Sequence, residues 1–270
     1  MKSMLFLAWQ DPHRRRWYPI GRLTSNGRRY LFVYTQGARE AQRDAGFEPL
    51  SMFPDLERLY VSQDLFPLFT NRLVPRSRPE YSDYLRWLNV PESEDDPVLI
   101  LARSGGQRLT DTLEVFPCPE RIMPGEYIIR FLVHGIRHMP EEAIARVAKL
   151  EPGERLLMMK DIQNPVDALA LCLRTSETYE RDVHLVGYCP RYLRSDFGRL
   201  IDSQEGELRV TVERVNPPPA PIQFRLLCRL EGIWPRDFEP FSSPDYMPIV
   251  EASSVAIDEE LEGLYSPQNP

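Results

Sequence analysis

The chain has 270 residues, of which 42% are hydrophobic and 27% are charged, and its formal net charge is −7. These proportions are typical of globular proteins and allow one large or two small domains. An acidic chain is poorly suited to indiscriminate binding of nucleic-acid backbones, and its apolar runs are far shorter than the roughly 20 residues that span a bilayer. We therefore expect a cytoplasmic protein with no membrane partner, in which any nucleic-acid site is a local pocket.

The charge is unevenly distributed along the chain. Residues 1–90 carry a net charge of +5, whereas residues 91–125, 126–215 and 216–270 carry −4, −2 and −6. The 26 prolines favour short strands and turns over long helices. The acidic tail that begins near Asp258 is predicted to be solvated rather than functional.

The first 90 residues alternate between strand and helix patterns. Aromatic and β-branched residues bounded by Gly, Ser and Asn predict strands at 3–8, 17–23 and 29–35, with a tight turn at 25–27. A helix is predicted from Ala38 to Ala45, ending at Gly46. Two further helices are predicted over 66–73 and 79–88.

Four motifs in this block resemble the N-terminal subdomain of HipA-type serine/threonine kinases. They are Ile20-Gly-Arg-Leu23, Phe32-x-Tyr34, Pro49-Leu-Ser-Met-Phe-Pro54 and Leu65-Phe-Pro-Leu-Phe-Thr-Asn-Arg-Leu73. The sequence contains neither the phosphate-binding loop nor the His-Arg-Asp and Asp-Phe-Gly motifs of a kinase body. The resemblance thus implies a detached docking or regulatory module over residues 1–90, whose partner would be a HipA-like kinase or another protein.

The middle and end of the chain show a polar linker and then a second series of strands. Residues 91–125 are predicted to be a linker with connecting strands at 97–103 and 111–116. A strand over 126–134, a helix over 141–150 and strands over 207–215 and 222–230 follow. The proline-rich stretch at 216–221 separates the last two strands and predicts that residues 216–270 form an extension.

Three motifs in the second half resemble the HIRAN domain, a small β-barrel module attached to some helicases and nucleases and also found alone in bacteria. They are Tyr127-Ile-Ile-Arg-Phe-Leu-Val-His-Gly-Ile-Arg-His138, Asn164-Pro-Val-Asp167 within 150–167, and Val186-Gly-Tyr-Cys-Pro-Arg-Tyr-Leu193. The resemblance implies a barrel of the OB or SH3 type over residues 126–215. It also implies binding of single-stranded DNA ends without chemistry.

The resemblance assigns DNA contacts to six residues: Arg137, His138, Asn164, Asp167, Tyr188 and Arg191. The two arginines can bind phosphate oxygens bidentately, and Asp167 can accept a hydrogen bond from a terminal 3′-hydroxyl. Asn164 can meet a base edge, while the rings of His138 and Tyr188 can stack on bases. DNA-binding relatives have aromatic residues at the positions of His138 and Val166.

A purely structural interpretation of several of these residues remains open. An Asn-Pro-x-Asp turn often forms for its own backbone hydrogen bonds, which would account for Asn164 and Asp167. Tyr188 fits a core position equally well. The cluster of Arg14, Arg15 and Arg16 beside Trp17 is predicted to be a solvated hairpin face, with a phosphate or partner contact as its alternative.

No pattern in the sequence predicts a cofactor, a metal or catalysis. The four cysteines lack C-x-x-C spacing and are predicted to be reduced thiols, mostly buried, and no histidine has a ligand partner at metal-binding spacing. The Gly-x-Ser-x-Gly motif is absent from the sequence.

These observations predict an α+β protein that is not an enzyme. A small β-rich HipA-N-like module precedes a HIRAN-like β-barrel with short helices. The predicted function is recognition of single-stranded DNA 3′ ends, in DNA repair or in defence against foreign DNA. The alternative is a protein-interaction or antitoxin-like module that partners a HipA-type kinase.

Overall fold

Antiparallel strands dominate the computed structural model, which describes residues 3–251 except 109, 120, 124–125, 166, 177–181, 204–207, 234 and 236–237. The chain divides into two compact units. Unit 1 takes in the described residues of 1–76, 96–118 and 241–270, and unit 2 those of 77–95 and 119–240. The predicted acidic tail lies outside the described residues.

Twelve strands and six α-helices lie within the described ranges. The strands are β1 (Ser3–Gln10), β2 (Trp17–Ser25), β3 (Tyr30–Tyr34), β4 (Tyr60–Ser62), β5 (Leu113–Pro117), β6 (Arg121–Met123), β7 (Glu126–Leu132), β8 (Arg155–Lys160), β9 (Leu171–Thr175), β10 (Leu185–Tyr188), β11 (Arg209–Val215) and β12 (Leu226–Ile233). The helices are α1 (Gln36–Ala45), α2 (Pro67–Thr70), α3 (Tyr81–Trp87), α4 (Pro97–Ser104), α5 (Glu141–Val147) and α6 (Arg194–Ser203).

Unit 1 is built on a five-stranded antiparallel sheet with the order β4-β3-β2-β1-β5. Its core consists of side chains such as Leu7, Ile20 and Phe32, which are fully buried. The last described stretch of the chain returns to this unit, where the Ile249 amide donates to the Tyr34 carbonyl at 2.8 Å. The three strands predicted at the start of the chain are confirmed.

Helix α1 forms as predicted and ends where expected. Gly46 has a φ of 68°, and its amide donates to carbonyls of the last turn, which closes the helix. This left-handed conformation is accessible to glycine at little cost. Helices α2 and α3 lie within the predicted spans but are shorter.

The strand predicted over 97–103 is wrong, because this segment is helix α4. The Asp96 side chain accepts a hydrogen bond from the Val98 amide at 2.9 Å, Pro97 occupies the first turn, and Gly105 ends the helix with a φ of 73°. These are the standard signals for the start and end of a helix. A short apolar run such as 98–102 fits a buried strand or a buried helix equally well, so the capping residues decide.

Unit 2 contains a curled antiparallel sheet with the order β10-β9-β8-β11-β12-β7-β6, which forms a half-barrel. Along β7 the side chains of Tyr127, Ile129 and Phe131 are buried, as expected for alternate positions of a strand with one face toward the core. Strand β12 lies between β11 and β7 rather than at the edge. It begins at Leu226, four residues later than predicted, because Ile222–Phe224 is a 3₁₀ turn.

Two backbone hydrogen bonds bring β10 against the chain that follows β7. The His134 amide donates to the Tyr188 carbonyl, and the Tyr188 amide donates to the His134 carbonyl, both at 2.9 Å. Gly187 permits this approach, since its φ is 145° and a Cβ there would lie 2.5 Å from Cγ1 of Val133. The edge strand β10 is thereby bonded to the segment that follows β7, the strand next to the opposite edge.

Helix α6 packs against β7. Its Phe197 is fully buried and meets Phe131 of β7 edge-on, with ring centroids 5.7 Å apart. Leu193 and Leu200 are buried beside it. The helix is therefore anchored by apolar contacts, and these fix the positions of the polar residues at its start.

The predicted β-rich chain with a few short helices is confirmed, whereas the region predicted to be a β-barrel of the OB or SH3 type is a half-barrel. The two observed units are discontinuous along the sequence. The predicted domains 1–90, 91–125, 126–215 and 216–270 remain a prediction. Among the cysteines, Cys172, Cys189 and Cys228 are buried, as predicted, and Cys118 is partly exposed. No helix in the described ranges is long and apolar enough to cross a membrane.

The close approach at Gly187 generates a stability prediction. We expect Gly187→Ala to destabilise unit 2 by more than about 2 kcal/mol, because a Cβ would clash with Val133 and the backbone is strained for any L side chain. Gly198→Ala in α6 is the matched control. It meets no atom within 4 Å and should be neutral or stabilising by about 0.5–1 kcal/mol. Urea unfolding of both variants tests this, and equal midpoints would contradict it.

Candidate nucleic-acid interface

The loop between β8 and β9 is shaped by side-chain hydrogen bonds to its own backbone. The Asn164 side-chain oxygen accepts from the Asp167 amide at 3.0 Å, and Oδ1 of Asp167 accepts from the Leu169 amide at 3.1 Å. The Asp161 amide and the Ala170 carbonyl, joined at 2.9 Å, close the loop at its base. One side-chain oxygen of Asn164 and one of Asp167 thus accept backbone hydrogen bonds within the loop, as the structural interpretation predicts. The Asn164 side-chain nitrogen contacts Asp161, and Oδ2 of Asp167 contacts Arg194.

Tyr188 is tied to the same loop through Asp161. The Tyr188 hydroxyl donates to Oδ2 of Asp161 at 2.9 Å, and the Asn164 side-chain amide donates to the same oxygen at 3.1 Å. Burial and the hydrogen bond to Asp161 raise the pKa of Tyr188, so it remains a protonated donor. Its ring is only half-buried, which leaves part of it accessible.

Two arginines approach Asp167: Arg191 from the 3₁₀ turn Arg191–Leu193, and Arg194 from the first position of α6. Nη1 of Arg194 forms an ion pair with Oδ2 of Asp167, and Nε of Arg191 lies 3.7 Å from the same oxygen. The Asp167 side chain is 9% exposed, whereas that of Arg191 is 34% exposed. Residues three apart on a helix share a face, and this spacing was the one signal in the sequence that could have identified Arg194.

Arg137 and His138 occupy an exposed 3₁₀ turn, Ile136–His138, that follows Gly135. Nε of Arg137 donates to Nε2 of His138 at 2.9 Å. The turn packs against β10, and a Cβ at Gly135 would lie 3.1 Å from the Tyr188 ring. The turn therefore stands beside Tyr188, with its two polar side chains in solvent.

The structure joins four of the six predicted residues in one set of contacts, here called the site network. Its members are Asp161, Asn164, Asp167, Tyr188, Arg191 and Arg194. Asp161 and Arg194 were not predicted from the sequence. Arg137 and His138 lie on the neighbouring turn rather than in the site network.

The loop also exposes two large apolar side chains beside the site network. Ile162 is 82% exposed and Leu169 is 59% exposed. Val166, one of the two positions at which the resemblance implies an aromatic residue in DNA-binding proteins, lies outside the described residues. Exposed apolar side chains beside polar groups offer contact area to a partly apolar ligand.

Electrostatically, the site network is balanced, with two carboxylates and two guanidinium groups. A partly exposed guanidinium such as that of Arg191 can donate to an anionic oxygen, and a carboxylate can accept a hydrogen bond from a ligand. Within the described residues, no group of three or more His, Cys, Asp or Glu is arranged to hold a metal ion.

Comparison with known proteins agrees with the resemblance in the second half of the chain. Residues 127–231, less than half of the chain, match the model of the HIRAN domain. The match extends beyond the predicted end at residue 215 and includes β12, which lies inside the sheet. It does not extend to residues 1–90, so the HipA-like module remains a prediction.

Two solved structures have weak similarity to the chain. A protein from Lactobacillus plantarum aligns with 40% of this chain and 97% of its own, with 20% identity and a TM-score of 0.30. The HIRAN domain of human HLTF aligns with 54% of this chain and 98% of its own, with 14% identity and a TM-score of 0.28. No curated protein matches the chain.

The environment of His134 predicts a pH dependence of stability. Burial and the charge of Arg191 lower its pKa from 6.5 to about 4. Above pH 6.5 this residue is neutral in both the folded and the unfolded state, so the protein loses no stability there. Between pH 6.5 and 4 only the unfolded state takes up the proton, and stability should fall by up to about 3 kcal/mol as the pH decreases.

Melting temperatures measured from pH 7 to pH 4 test this expectation. His134→Gln should flatten the decrease, because the residue that protonates on unfolding is gone. His138→Gln removes an exposed imidazole and is the matched control, which should keep the wild-type slope. Identical slopes in the wild type and in His134→Gln would show that another group is responsible.

Proposed function

We propose that residues 127–231 bind the 3′ end of single-stranded DNA and that the protein is a recognition module without enzymatic activity. The observation that supports this most strongly is the site network, in which a buried carboxylate and a partly exposed arginine lie side by side. The match to the HIRAN domain points to the same ligand class. Free single-stranded ends arise in DNA repair and in defence against foreign DNA, and we place the function there.

Asp167 would recognise the terminal hydroxyl. A carboxylate has about four acceptor positions, of which the Leu169 amide and Arg194 occupy one on each oxygen. The positions that remain can accept a hydrogen bond from a 3′-hydroxyl. An internal phosphodiester or a 3′-phosphate has no such donor and would place a negative charge near the carboxylate.

Arg191 would bind the phosphate that precedes the terminal nucleotide. Its guanidinium is partly exposed and is held near Asp167 without being enclosed by it. Arg137, on the neighbouring exposed turn, would meet the next phosphate, and the accessible part of the Tyr188 ring would stack on a base. Base stacking on an aromatic side chain contributes about 1–3 kcal/mol.

The first test compares DNA ends. We expect a single strand with a free 3′-hydroxyl to bind more tightly than a circular strand or one with a 3′-phosphate. Because two arginines contact phosphate in this arrangement, the logarithm of the affinity should fall with the logarithm of salt concentration with a slope of only about one or two. Fluorescence anisotropy with labelled oligonucleotides measures both. Equal affinity for circular and linear strands would contradict the proposal.

The second test concerns the two arginines. Arg137→Ala and Arg191→Ala should each weaken binding by roughly 1–3 kcal/mol, because a charge-assisted hydrogen bond to phosphate is lost. Both side chains are at least partly exposed, so the melting temperature should change little. Lys149→Ala removes an exposed cation outside the site network and should bind as the wild type does. A large loss of stability with unchanged binding would assign the arginines a structural role.

A further inference from the structure

We infer that Arg194 is a positioning residue that holds the Asp167 carboxylate for end recognition. This inference rests on the proposed function. Arg194 was not among the residues that the sequence motifs pointed to, and it acts in this scheme through Asp167 rather than by touching DNA.

The first step concerns which arginine holds the carboxylate. Oδ2 of Asp167 is in direct contact with Arg194, whereas its ion pair with Arg191 is longer, at 3.7 Å. The Leu169 amide donates to Oδ1 on the other side. The carboxylate thus has a partner at each oxygen, and the closer partner of Oδ2 is Arg194.

The second step concerns what fixes Arg194. It is the first residue of α6, and the helix is anchored by the buried side chains of Leu193, Phe197 and Leu200. Its guanidinium therefore approaches Asp167 from a rigid element, and only 30% of the side chain is exposed. A site supported by a packed helix holds its geometry better than one supported by loops alone.

The third step concerns charge. Asp167 alone would repel the phosphate that Arg191 is proposed to bind. With Arg194 in contact with Asp167, the three side chains carry a net charge of +1. This positive charge attracts the phosphate, while the remaining acceptor positions of Asp167 serve the terminal hydroxyl.

The test uses the full chain and two ten-residue thymidine oligonucleotides, one with a 3′-hydroxyl and one with a 3′-phosphate. The measured quantity is the ratio of their dissociation constants, together with the melting temperature. Arg194→Met should reduce the preference for the 3′-hydroxyl at least fivefold, while Arg194→Lys, which restores a cation, should recover most of it. Lys149→Met, with the same loss of charge outside the site network, should keep the wild-type ratio.

A double variant distinguishes positioning from a general structural effect. If Arg194 acts through Asp167, adding Arg194→Met to Asp167→Asn should cause no further loss of end preference beyond that of Asp167→Asn alone. Additive losses would overturn the inference. Should Arg194→Met fail to fold, Arg194→Gln, which keeps an N–H donor without the charge, carries the same test with a loss of at least threefold expected.

The outcomes separate this inference from the proposed function. A wild-type protein that prefers the 3′-hydroxyl, together with a folded Arg194→Met or Arg194→Gln variant of unchanged preference, overturns the role of Arg194 alone. A wild-type protein that binds neither oligonucleotide overturns both.

Discussion

The candidate site depends on the pair of backbone hydrogen bonds between His134 and Tyr188. These bonds join the edge strand β10 to the segment that follows β7, and Gly187 makes this approach possible. They place the Tyr188 side chain against the loop between β8 and β9 and beside the turn that carries Arg137. If these two bonds broke, the Tyr188 ring, the loop and the turn would no longer be held in fixed positions relative to one another. The polar chemistry of the site is therefore supported by an interaction that contains no side-chain polar atom.

The acidic net charge of the chain and the charge balance of the site network favour the same kind of ligand. A protein with a net charge of −7 gains little from the release of counterions along a polyanion. Its site network instead balances two carboxylates against two arginines and buries one carboxylate almost completely. Such an arrangement favours recognition by hydrogen-bond geometry at one chemical group. For this physical reason we propose a strand end, rather than a long stretch of nucleic acid, as the ligand.

Much of the fold could be predicted from the sequence, because alternation of apolar residues and glycine at a helix end are local signals. The strands at the start of the chain and helix α1 illustrate this. The segment 97–104 could not be assigned by periodicity, and only its capping residues reveal a helix. The partnership of Arg194 with Asp167 joins residues 27 positions apart and depends on how α6 packs, which no local pattern encodes. The grouping of residues into discontinuous units likewise follows from tertiary contacts alone.

The return of the chain to unit 1 has a consequence for biosynthesis. Phe241 and Tyr246 pack with Phe6 and Phe116, and the residues around Ile249 pair with the chain next to β3. A ribosome releases the chain from its first residue onward, so every residue of unit 2 is synthesised before unit 1 receives its last described segment. The early strands of unit 1 must then wait in an incomplete state while the later unit emerges. For the nascent chain, the unit that begins first is the one that finishes last.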